Sequence, residues 1–337
     1  MIETSGMGPR AAPPLPVKSE LRYHTLGWRG PNVSTPFIID TDCGIDDAVA
    51  ILMALLHPEV DVVGVSTLSG NVARDQVTQN VCELLASVGR GEIPVFAGAT
   101  RPLLREPVSA KRIHGPTGLG LVELPATSKA AEDADAPTGI ARMVREYPGA
   151  TVVALGPLTN LALTLNLYPD VVSGIGSLVI MGGALGDGNV TRFAEFNFYA
   201  DPEAVDVVFR SGVPCTIVPW DACRSVRLDR EQLAAAVGNQ THRGELVQRL
   251  QEWVFRAMEE RLGMPFAAMA DPIAMAVAME PRVIAAHHDG NLRMELGCTT
   301  MRGASVRWDG GGMDIVDAID IAAFSSLLQK LFILPTA

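Results

Sequence analysis

The stretch that decides the fold runs from Pro36 to Asn71 and reads PFIIDTDCGIDDAVAILMALLHPEVDVVGVSTLSGN. It opens with the apolar run PFIID, which is typical of a short buried strand. The segment IDDAVAILMALLHP then has the periodicity of a helix and closes at Pro58. A second strand pattern, VDVVGVSTLSG, follows. Strand, helix and strand make a βαβ unit, whose right-handed crossover implies parallel strands.

The same alternation continues toward the C-terminus. The later strand patterns are the near-continuous apolar runs of buried parallel strands, namely IPVFAG, ATVVALGP, GSLVIMGG and VPCTIVPWD. The segment from Leu228 to Met279 is predicted to be mostly helical, and RMELGCTTMRGASVRWDGG to be a late hairpin. We therefore predict one α/β domain over residues 36–337, a single doubly wound, mostly parallel sheet with flanking helices. Residues 1–35, rich in Pro and Gly, are predicted to be a flexible N-terminal extension.

Composition and charge restrict the class of protein. The chain has 337 residues, 48% of them hydrophobic and 19% charged, as in a soluble globular protein with a large core. The 27 Lys and Arg against 38 Asp and Glu give a net charge of −11, which argues against binding of nucleic acid. No stretch approaches the roughly 18 uninterrupted apolar residues of a membrane span, and the N-terminus lacks an apolar signal core. We expect a cytoplasmic protein that binds no membrane.

The end of the first strand carries an unusual density of acidic residues. Asp40, Asp42, Asp46 and Asp47 fall within eight residues. Asp46 and Asp47 alone would suit the first turn of a helix, where the macrodipole favours carboxylates. Adding Asp40 and Asp42 creates a cluster of like charges that a hard cation would compensate. Carboxylates without a nearby His or Cys favour Ca²⁺ or Mg²⁺ over zinc.

Three further strand ends are polar, which matters because open parallel sheets bind ligands beyond the carboxyl ends of their strands. Asn71 follows a glycine and is either a turn former or a ligand-binding residue. Thr159 either caps the next helix or offers its carbonyl group to a metal. After Met181 the side chains of Asn189, Glu195 and Asn197 are of the kind that match sugar hydroxyl groups.

Taken together in this order, these motifs resemble the nucleoside hydrolase family, the inosine-uridine preferring N-ribohydrolases. The resemblance is carried by DTDCGIDDA after an apolar strand, SGN, LGPLTNLA, MGG with GN, AEFN-x-x-x-DPEA and a late ADPIA. It covers the chain from about Pro36 to near the C-terminus. It implies calcium-dependent hydrolysis of the N-glycosidic bond of a ribonucleoside to ribose and free base. It also implies a homodimer or homotetramer.

The resemblance further implies roles for individual residues. The metal ligands would be Asp42, Asp47, the Thr159 carbonyl and Asp271. Asp42 would also be the general base that activates the attacking water. The ribose would be bound by Asp46, Asn71, Met181, Asn189, Glu195, Asn197 and Asp271, with Asn71 beside Asp42 in the catalytic group. Carboxylates around a divalent ion leave net negative charge, which favours an oxocarbenium-like transition state.

The chain departs from the family pattern on the leaving-group side. The family's usual His before the late Asp-Pro, a proton donor to the departing base, is Ala270 here, and a second common His position is Arg224. We consider His114, in a Gly-flanked loop, as the catalytic acid in its place. Stacking of Trp220 or Trp253 on the base is the alternative, although both suit core packing as well. His287 and His288 are predicted to lie exposed in a connection before the late hairpin.

Two other functions remain open at this point. Asp40-x-Asp42 after an apolar strand also matches haloacid-dehalogenase-like phosphatases, although the later acidic pair and the Lys of that class are not evident. Ala270 favours a second alternative, a non-catalytic ribose- or nucleoside-binding protein on the hydrolase scaffold. A calcium-dependent assay for free ribose separates these possibilities from hydrolysis.

Overall fold

The computed structural model describes residues 34–267 and 269–333. Residues 1–33 of the predicted extension lie outside these ranges. The strands are β1 (Thr35–Thr41), β2 (Val60–Thr67), β3 (Val95–Ala97), β4 (Ala150–Ala154), β5 (Ile175–Met181), β6 (Cys215–Val218), β7 (Ile284–Gly290), β8 (Leu292–Met294), β9 (Ser305–Arg307) and β10 (Met313–Ile319). The helices are α1 (Ile45–Leu56), α2 (Arg74–Ser87), α3 (Lys111–His114), α4 (Ala136–Glu146), α5 (Thr159–Leu167), α6 (Phe196–Ala200), α7 (Pro202–Arg210), α8 (Trp220–Cys223), α9 (Arg230–Val237), α10 (His242–Leu262), α11 (Ala270–Met279) and α12 (Ile321–Phe332).

Eight of the strands form one sheet in the order β3-β2-β1-β4-β5-β6-β10-β7. Every neighbouring pair is parallel except β10 and β7, which are antiparallel. The strands β8 and β9 form a separate antiparallel pair, which is the predicted late hairpin. The predicted α/β fold with a mostly parallel sheet is confirmed.

Apolar side chains leave the sheet in both directions, as a doubly wound sheet requires. In β1, Phe37 and Ile39 pack with α1, α11 and α12 in one buried cluster, whereas Ile38 packs with α4, α5 and α7 in another. Because successive strand residues point to opposite faces, a buried parallel strand is apolar at every position. Among the described residues, no helix is both long and apolar enough to cross a bilayer.

His287 and His288 do not lie in a connection, so that prediction was wrong. They belong to β7, the antiparallel edge strand, where the ring of His287 lies 2.5 Å from Asp314 and that of His288 lies 2.7 Å from Asp317. Both aspartates belong to β10. Two adjacent histidines break the alternation of polar and apolar residues that identifies a strand, and the pairing with β10 overrides that local pattern.

The direction of the crossovers reverses at β1. The chain leaves β1 for β2 and β3 on one side, and β4 then enters on the other side of β1. Such a reversal opens a crevice at the carboxyl ends of the two strands, where ligands bind in folds of this class. Asp42 follows β1 and Gly156 follows β4 at this crevice.

A bulge in β5 shows how closely the backbone is packed at the opposite, amino-terminal end of the strands. Ala150 of β4 pairs with Ile175 and Thr151 pairs with Ser177, so Gly176 is the extra residue of β5. A Cβ atom on Gly176 would lie 2.4 Å from the carbonyl oxygen of Gly149. Only glycine permits this approach, and β5 then continues to Met181.

We therefore expect Gly176→Ala to destabilise the protein by about 1–3 kcal/mol, the usual range for overpacking in a dense interior. Gly91→Ala is the control, because a Cβ atom there meets nothing within 4 Å. The free energy of unfolding of both variants, measured in urea, checks this. Equal stability of the two variants would contradict the close approach.

Candidate active site

Asp42 is buried at the crevice and is held there by the ends of two neighbouring strands. A Cβ atom on Gly70 would lie 2.0 Å from its Oδ2, and one on Gly156 would lie 3.0 Å from its backbone nitrogen. Asn71 donates to the same carboxylate from its backbone N–H at 2.7 Å and from its side-chain Nδ2 at 3.1 Å. The glycines in SGN and LGP therefore leave room for Asp42. Asn71 is a hydrogen-bond donor to this carboxylate as well as a turn residue.

Asp47 lies in the first turn of α1 and is satisfied by three donors. Thr41 Oγ1 donates to its Oδ1 at 2.5 Å, and Gly44 N–H and Asn71 Nδ2 donate to its Oδ2 at 2.8 and 3.2 Å. Between Asp42 and Gly44, Cys43 has a φ of 27°, an unusual value for a residue other than glycine. This backbone turn brings Asp42 and the start of α1 into one site.

Asp46, Asp47 and Asp271 form a buried group whose ligand oxygens lie within 4.8 Å of one another. Asp271 comes from the first turn of α11, which packs with α1 in the same apolar cluster. Burial raises the pKa of Asp271 well above its ordinary value, and the charges of Asp46, Asp47 and Asp42 raise it further. Burial also raises the pKa of Asp42, as do the charge of Asp47 and a hydrogen bond with it.

The donor set fits a divalent metal ion. Among the described residues, no Lys or Arg lies within ion-pair distance of these four carboxylates, and Asp46 Oδ1 is buried without a hydrogen-bond partner. Ligands that are all oxygen suit hard cations such as Ca²⁺ or Mg²⁺. The group with mutually close oxygens consists of Asp46, Asp47 and Asp271. The expected set of Asp42, Asp47, Asp271 and Thr159 is therefore only partly brought together. Asp42 contacts the observed group through Asp47.

Thr159 is the first residue of α5, but its hydroxyl does not cap that helix. The residue before it, Leu158, occupies the capping position without a side-chain hydrogen bond. Thr159 Oγ1 instead donates to Asp201 Oδ2 at 2.7 Å. Of the two roles considered for Thr159, side-chain capping is therefore not realised, and its carbonyl role stays a prediction.

The predicted sugar-binding residues surround the end of β5. Asn197 Nδ2 donates to the carbonyl oxygens of Leu155 and Met181, at 2.7 and 3.1 Å. Asn189 is exposed, and its Oδ1 accepts the backbone N–H of Phe196 at 2.8 Å. Asn197 is thus tied to β4 and β5, whereas Asn189 lies at the outer rim.

Glu195 is buried, and its carboxyl group accepts backbone N–H groups with both oxygens. Oε1 accepts from Asn197, and Oε2 accepts from Gly183 and Phe198, at 2.9, 3.0 and 3.2 Å respectively. Burial raises the pKa of Glu195 to about 7, although these hydrogen bonds lower it. Near neutral pH this group can thus exist as an acid that donates to a sugar hydroxyl or as a carboxylate that accepts from it.

His114 contacts the start of α1. The backbone N–H of Ile45 donates to its Nδ1 at 3.1 Å, so Nδ1 is unprotonated and the hydrogen is on Nε2. Asp46 Oδ1 lies 3.7 Å from the same nitrogen, but a ring that accepts at Nδ1 is neutral, and this contact is not an ion pair. The structure therefore brings His114 to the carboxylate cluster as a neutral imidazole.

The other leaving-group candidates are mainly packed into the protein. Trp220 and Trp253 are partly buried against the apolar cluster of α1, and the indole N–H of Trp253 is buried without a hydrogen-bond partner. Arg224 lies 3.7 Å from Asp221. Ala270 is buried, and its carbonyl oxygen accepts from Cys223 Sγ at 3.8 Å.

Two buried residues of this region were missed as site residues by sequence reasoning, and a third, Asp40, was given another role. Asp201 reads as a simple Asp-Pro helix start, and Asn160 as one more polar residue after Thr159. Asn160 donates to Asp40 Oδ1 at 2.8 Å and to the carbonyl oxygen of Thr67 at 3.2 Å. Asp40 was counted with the metal-binding acids, but burial raises its pKa to about 6 and its partners are Ser66 and Asn160. These contacts join positions far apart in sequence, so no local pattern marks them.

Comparison with known proteins identifies the family of this chain. The profile of the family described as inosine-uridine preferring nucleoside hydrolase matches residues 37–326. The chain belongs to this family, a class of N-glycosyl hydrolases. The match leaves the phosphatase alternative without support.

Individual relatives fall within the same class. The chain is 38% identical over 256 residues to a protein of Citrobacter koseri named pyrimidine-specific ribonucleoside hydrolase RihA, covering 74% of this chain and 81% of the relative. A plant nucleoside hydrolase, PpNRh1, has a similar structure, with a TM-score of 0.84 and 31% identity over 89% of this chain and 99% of its own. A purine-preferring ribonucleoside hydrolase from Gardnerella vaginalis gives a TM-score of 0.83 and 28% identity, covering 88% and 98%.

The raised pKa of Glu195 predicts a pH-dependent stability. The unfolded chain releases this proton near pH 4.5 and the folded chain near pH 7, so the folded state binds more protons between these values. Stability from Glu195 is therefore fully present below pH 4.5 and is lost as the pH rises to about 7, by about 3 kcal/mol in total. We expect urea unfolding in a chelator to show a smaller loss of stability over this pH range in Glu195→Gln than in the wild type, because Asp40, Asp42 and Asp271, whose pKa values are also raised, titrate in both proteins.

Glu123→Gln, which changes an exposed glutamate, is the control and should keep the slope of the wild type. A wild-type slope equal to that of Glu195→Gln would show that Glu195 titrates normally in the folded protein.

Proposed function

We propose that this protein hydrolyses the N-glycosidic bond of a ribonucleoside to ribose and free base in a calcium-dependent reaction. The observation that carries the proposal is the buried group of Asp46, Asp47 and Asp271 next to Asp42, at the crevice where β1 and β4 diverge. Pyrimidine ribonucleosides are the first substrates to test, because curated relatives at 37–39% identity bear that name. The homo-oligomeric state and the extension of residues 1–35 stay predictions.

The metal would be held by Asp42, Asp47, Asp271 and the Thr159 carbonyl, with Asp46 on the ribose side. The close oxygens of Asp47 and Asp271 support the metal assignment, and the partnerless Asp46 Oδ1 supports a role of Asp46 toward a ribose hydroxyl group. A divalent cation in such a site lowers the pKa of water and orients it, and its charge compensates the repulsion among the carboxylates. A metal is also consistent with the raised pKa values of Asp42 and Asp271, because burial of uncompensated carboxylates is unfavourable.

The hydrolysis needs one base and one electron sink. Asp42 accepts a proton from the attacking water, and the water oxygen bonds to the anomeric carbon. The glycosidic C–N bond breaks, and its electron pair goes to the departing nucleobase. Asn71 holds both oxygens of Asp42 and so fixes the direction of proton transfer. Positive charge develops on the ribose in this step, and the surrounding carboxylates favour it.

Recognition of the sugar would come from Asp46, Asn71, Asn189, Glu195 and Asn197, beside Met181. The buried position of Glu195 and Asn197 supports this role, because a site with buried polar groups rejects ligands that leave those groups unpaired. Nucleosides lacking the 2′- and 3′-hydroxyl groups should therefore be poor substrates.

The leaving base would be assisted by His114 rather than by the residue at position 270. A neutral imidazole with its hydrogen on Nε2 can donate a hydrogen bond to the base, and its Nδ1 bond to Ile45 fixes the ring. Ala270 can donate nothing. Ala270 also supports the second candidate function, a protein that binds a nucleoside without cleaving it.

The first test is release of ribose from a panel of ribonucleosides, with and without calcium. We expect turnover of at least one ribonucleoside that stops in excess chelator and is reduced about 10²- to 10⁴-fold in Asp42→Asn, the usual contribution of a general base. Asp61→Asn, at an exposed position of β2, should keep wild-type activity.

Full activity in excess chelator would contradict the metal centre. Tight nucleoside binding by calorimetry without ribose release from any member of the panel would instead support the binding protein.

The second test addresses the leaving group. We expect p-nitrophenyl riboside, whose leaving group needs no protonation, to be cleaved readily and inosine poorly. Ala270→His should raise the inosine rate selectively, whereas Ala270→Gln, of similar size but without an acid, should not. Steady-state rates on both substrates measure this.

His114→Asn keeps an acceptor near Nδ1 for Ile45 and removes the Nε2 donor. It should lower nucleoside hydrolysis by about 10- to 100-fold and spare the activated riboside, because a hydrogen bond to a group that becomes charged contributes about 1.5–3 kcal/mol. Inosine and the activated riboside cleaved at equal rates by the wild type would show that neither position assists departure of the base.

A further inference from the structure

We propose that Asp201 is a positioning residue of this centre, because one of its carboxylate oxygens holds both Thr159 and the loop that leads to His114. The proposal rests on the function above, in which the Thr159 carbonyl binds the metal and His114 assists the base. Asp201 itself would touch neither the metal nor the base. It would act by fixing the two segments that carry the Thr159 carbonyl and His114.

Asp201 does more than begin helix α7. Its Oδ1 accepts the backbone N–H of Ala204 at 3.1 Å, which is ordinary helix capping. Its Oδ2 accepts Thr159 Oγ1 at 2.7 Å and the backbone N–H of Leu103 at 2.9 Å. One carboxylate thus joins the starts of α5 and α7 to the segment between β3 and α3.

The other aspartates that cap helices show what capping alone requires. Asp135, Asp229 and Asp320 each accept an N–H from the first turn of their own helix, and all three are exposed. Asp201 is fully buried, and burial raises its pKa. A buried carboxylate is unfavourable for stability, and helix capping alone does not explain why Asp201 is buried. The two additional hydrogen bonds to its Oδ2 explain the burial.

The first of these bonds fixes Thr159. The hydroxyl of a threonine at the first position of a helix has freedom to rotate, and Asp201 selects one orientation. The next residue, Asn160, is fixed as well, since it donates to Asp40 and accepts the backbone N–H of Ala99 at 2.9 Å. The start of α5 is therefore held on both sides, by Asp201 and by the ends of β1 to β3.

The second bond fixes the segment from residue 98 to residue 114. Leu103 is held by Asp201, and further along Ala110 N–H donates to the carbonyl oxygen of Asn71 at 3.1 Å. Four residues later His114 accepts the N–H of Ile45. Loss of the Leu103 bond would remove the attachment of this segment to the start of α7 and would so loosen the approach of His114 to the site.

The test compares Asp201→Ala with Asp320→Ala, which removes the cap of α12 but touches no site residue. Calcium affinity, measured by competition with a chelating dye, needs no turnover. We expect Asp201→Ala to weaken calcium binding 10- to 100-fold, the usual effect of removing a residue that supports a metal ligand, and Asp320→Ala to leave it unchanged. Equal affinities of the two variants would overturn the metal half of the proposal.

Thr159→Val and Thr159→Ser keep the test valid if Asp201→Ala does not fold. Valine removes only the hydroxyl, so it should weaken calcium binding, whereas serine should retain it. Combining Thr159→Val with Asp201→Ala should add little, because both remove the same bond. Equal calcium affinities of Thr159→Val and Thr159→Ser would contradict the role of the hydrogen bond to Asp201.

Amide hydrogen exchange tests the loop half without any metal. The Leu103 amide should exchange faster in Asp201→Ala than in the wild type or Asp320→Ala, and kcat should fall more for a nucleoside than for p-nitrophenyl riboside. Unchanged exchange at Leu103 would overturn this half. Wild-type protein that binds no calcium would refute the proposed metal centre and the Thr159 half with it, and the exchange result would still decide the loop.

Discussion

The constraint on which the rest of this structure depends is the burial of like charges at the crevice between β1 and β4. Asp42, Asp46, Asp47 and Asp271 come from three segments that fold together only if the repulsion among them is compensated. Hydrogen bonds from Thr41, Gly44 and Asn71 compensate part of it. What remains favours binding of a cation, so in the proposed reaction the same charges would create affinity for a divalent metal and would stabilise positive charge on a bound sugar.

Around this cluster the strand ends are held by a second set of buried polar groups. Asp40, Asn160 and Asp201 contact no proposed substrate position, yet together they join β1, β2 and the starts of α5 and α7. Loops on a sheet edge are ordinarily mobile, whereas a metal site needs ligands fixed to within a fraction of an ångström. Buried hydrogen bonds between distant segments provide that rigidity where apolar packing cannot reach.

The fold and the clustering of the acidic residues could be predicted because both depend on local sequence. The alternation of apolar runs and helical periods predicts the parallel sheet, and DTDCGIDDA places its acids at a strand end whatever the rest of the chain does. The bond of Thr159 to Asp201 and that of Ile45 to His114 join residues 42 and 69 positions apart, so no window of sequence contains them. His287 and His288 were misplaced for a related reason, since pairing with β10, not local alternation, makes β7 a strand.

If His114 assists the departing base as proposed, its neutral ring limits that assistance to a hydrogen bond. Full proton transfer from Nε2 would require Nδ1 to take up a proton, and Nδ1 is engaged by the N–H of Ile45 at the positive end of α1. Hydrogen bonding without transfer remains possible and suffices for a base that spreads its negative charge over its own carbonyl oxygens. A base that must be protonated on a ring nitrogen would be assisted less by such a hydrogen bond. In the proposed reaction, Ala270 in place of the usual His and the tautomer of His114 would thus act in the same direction, toward substrates whose bases leave as stabilised anions.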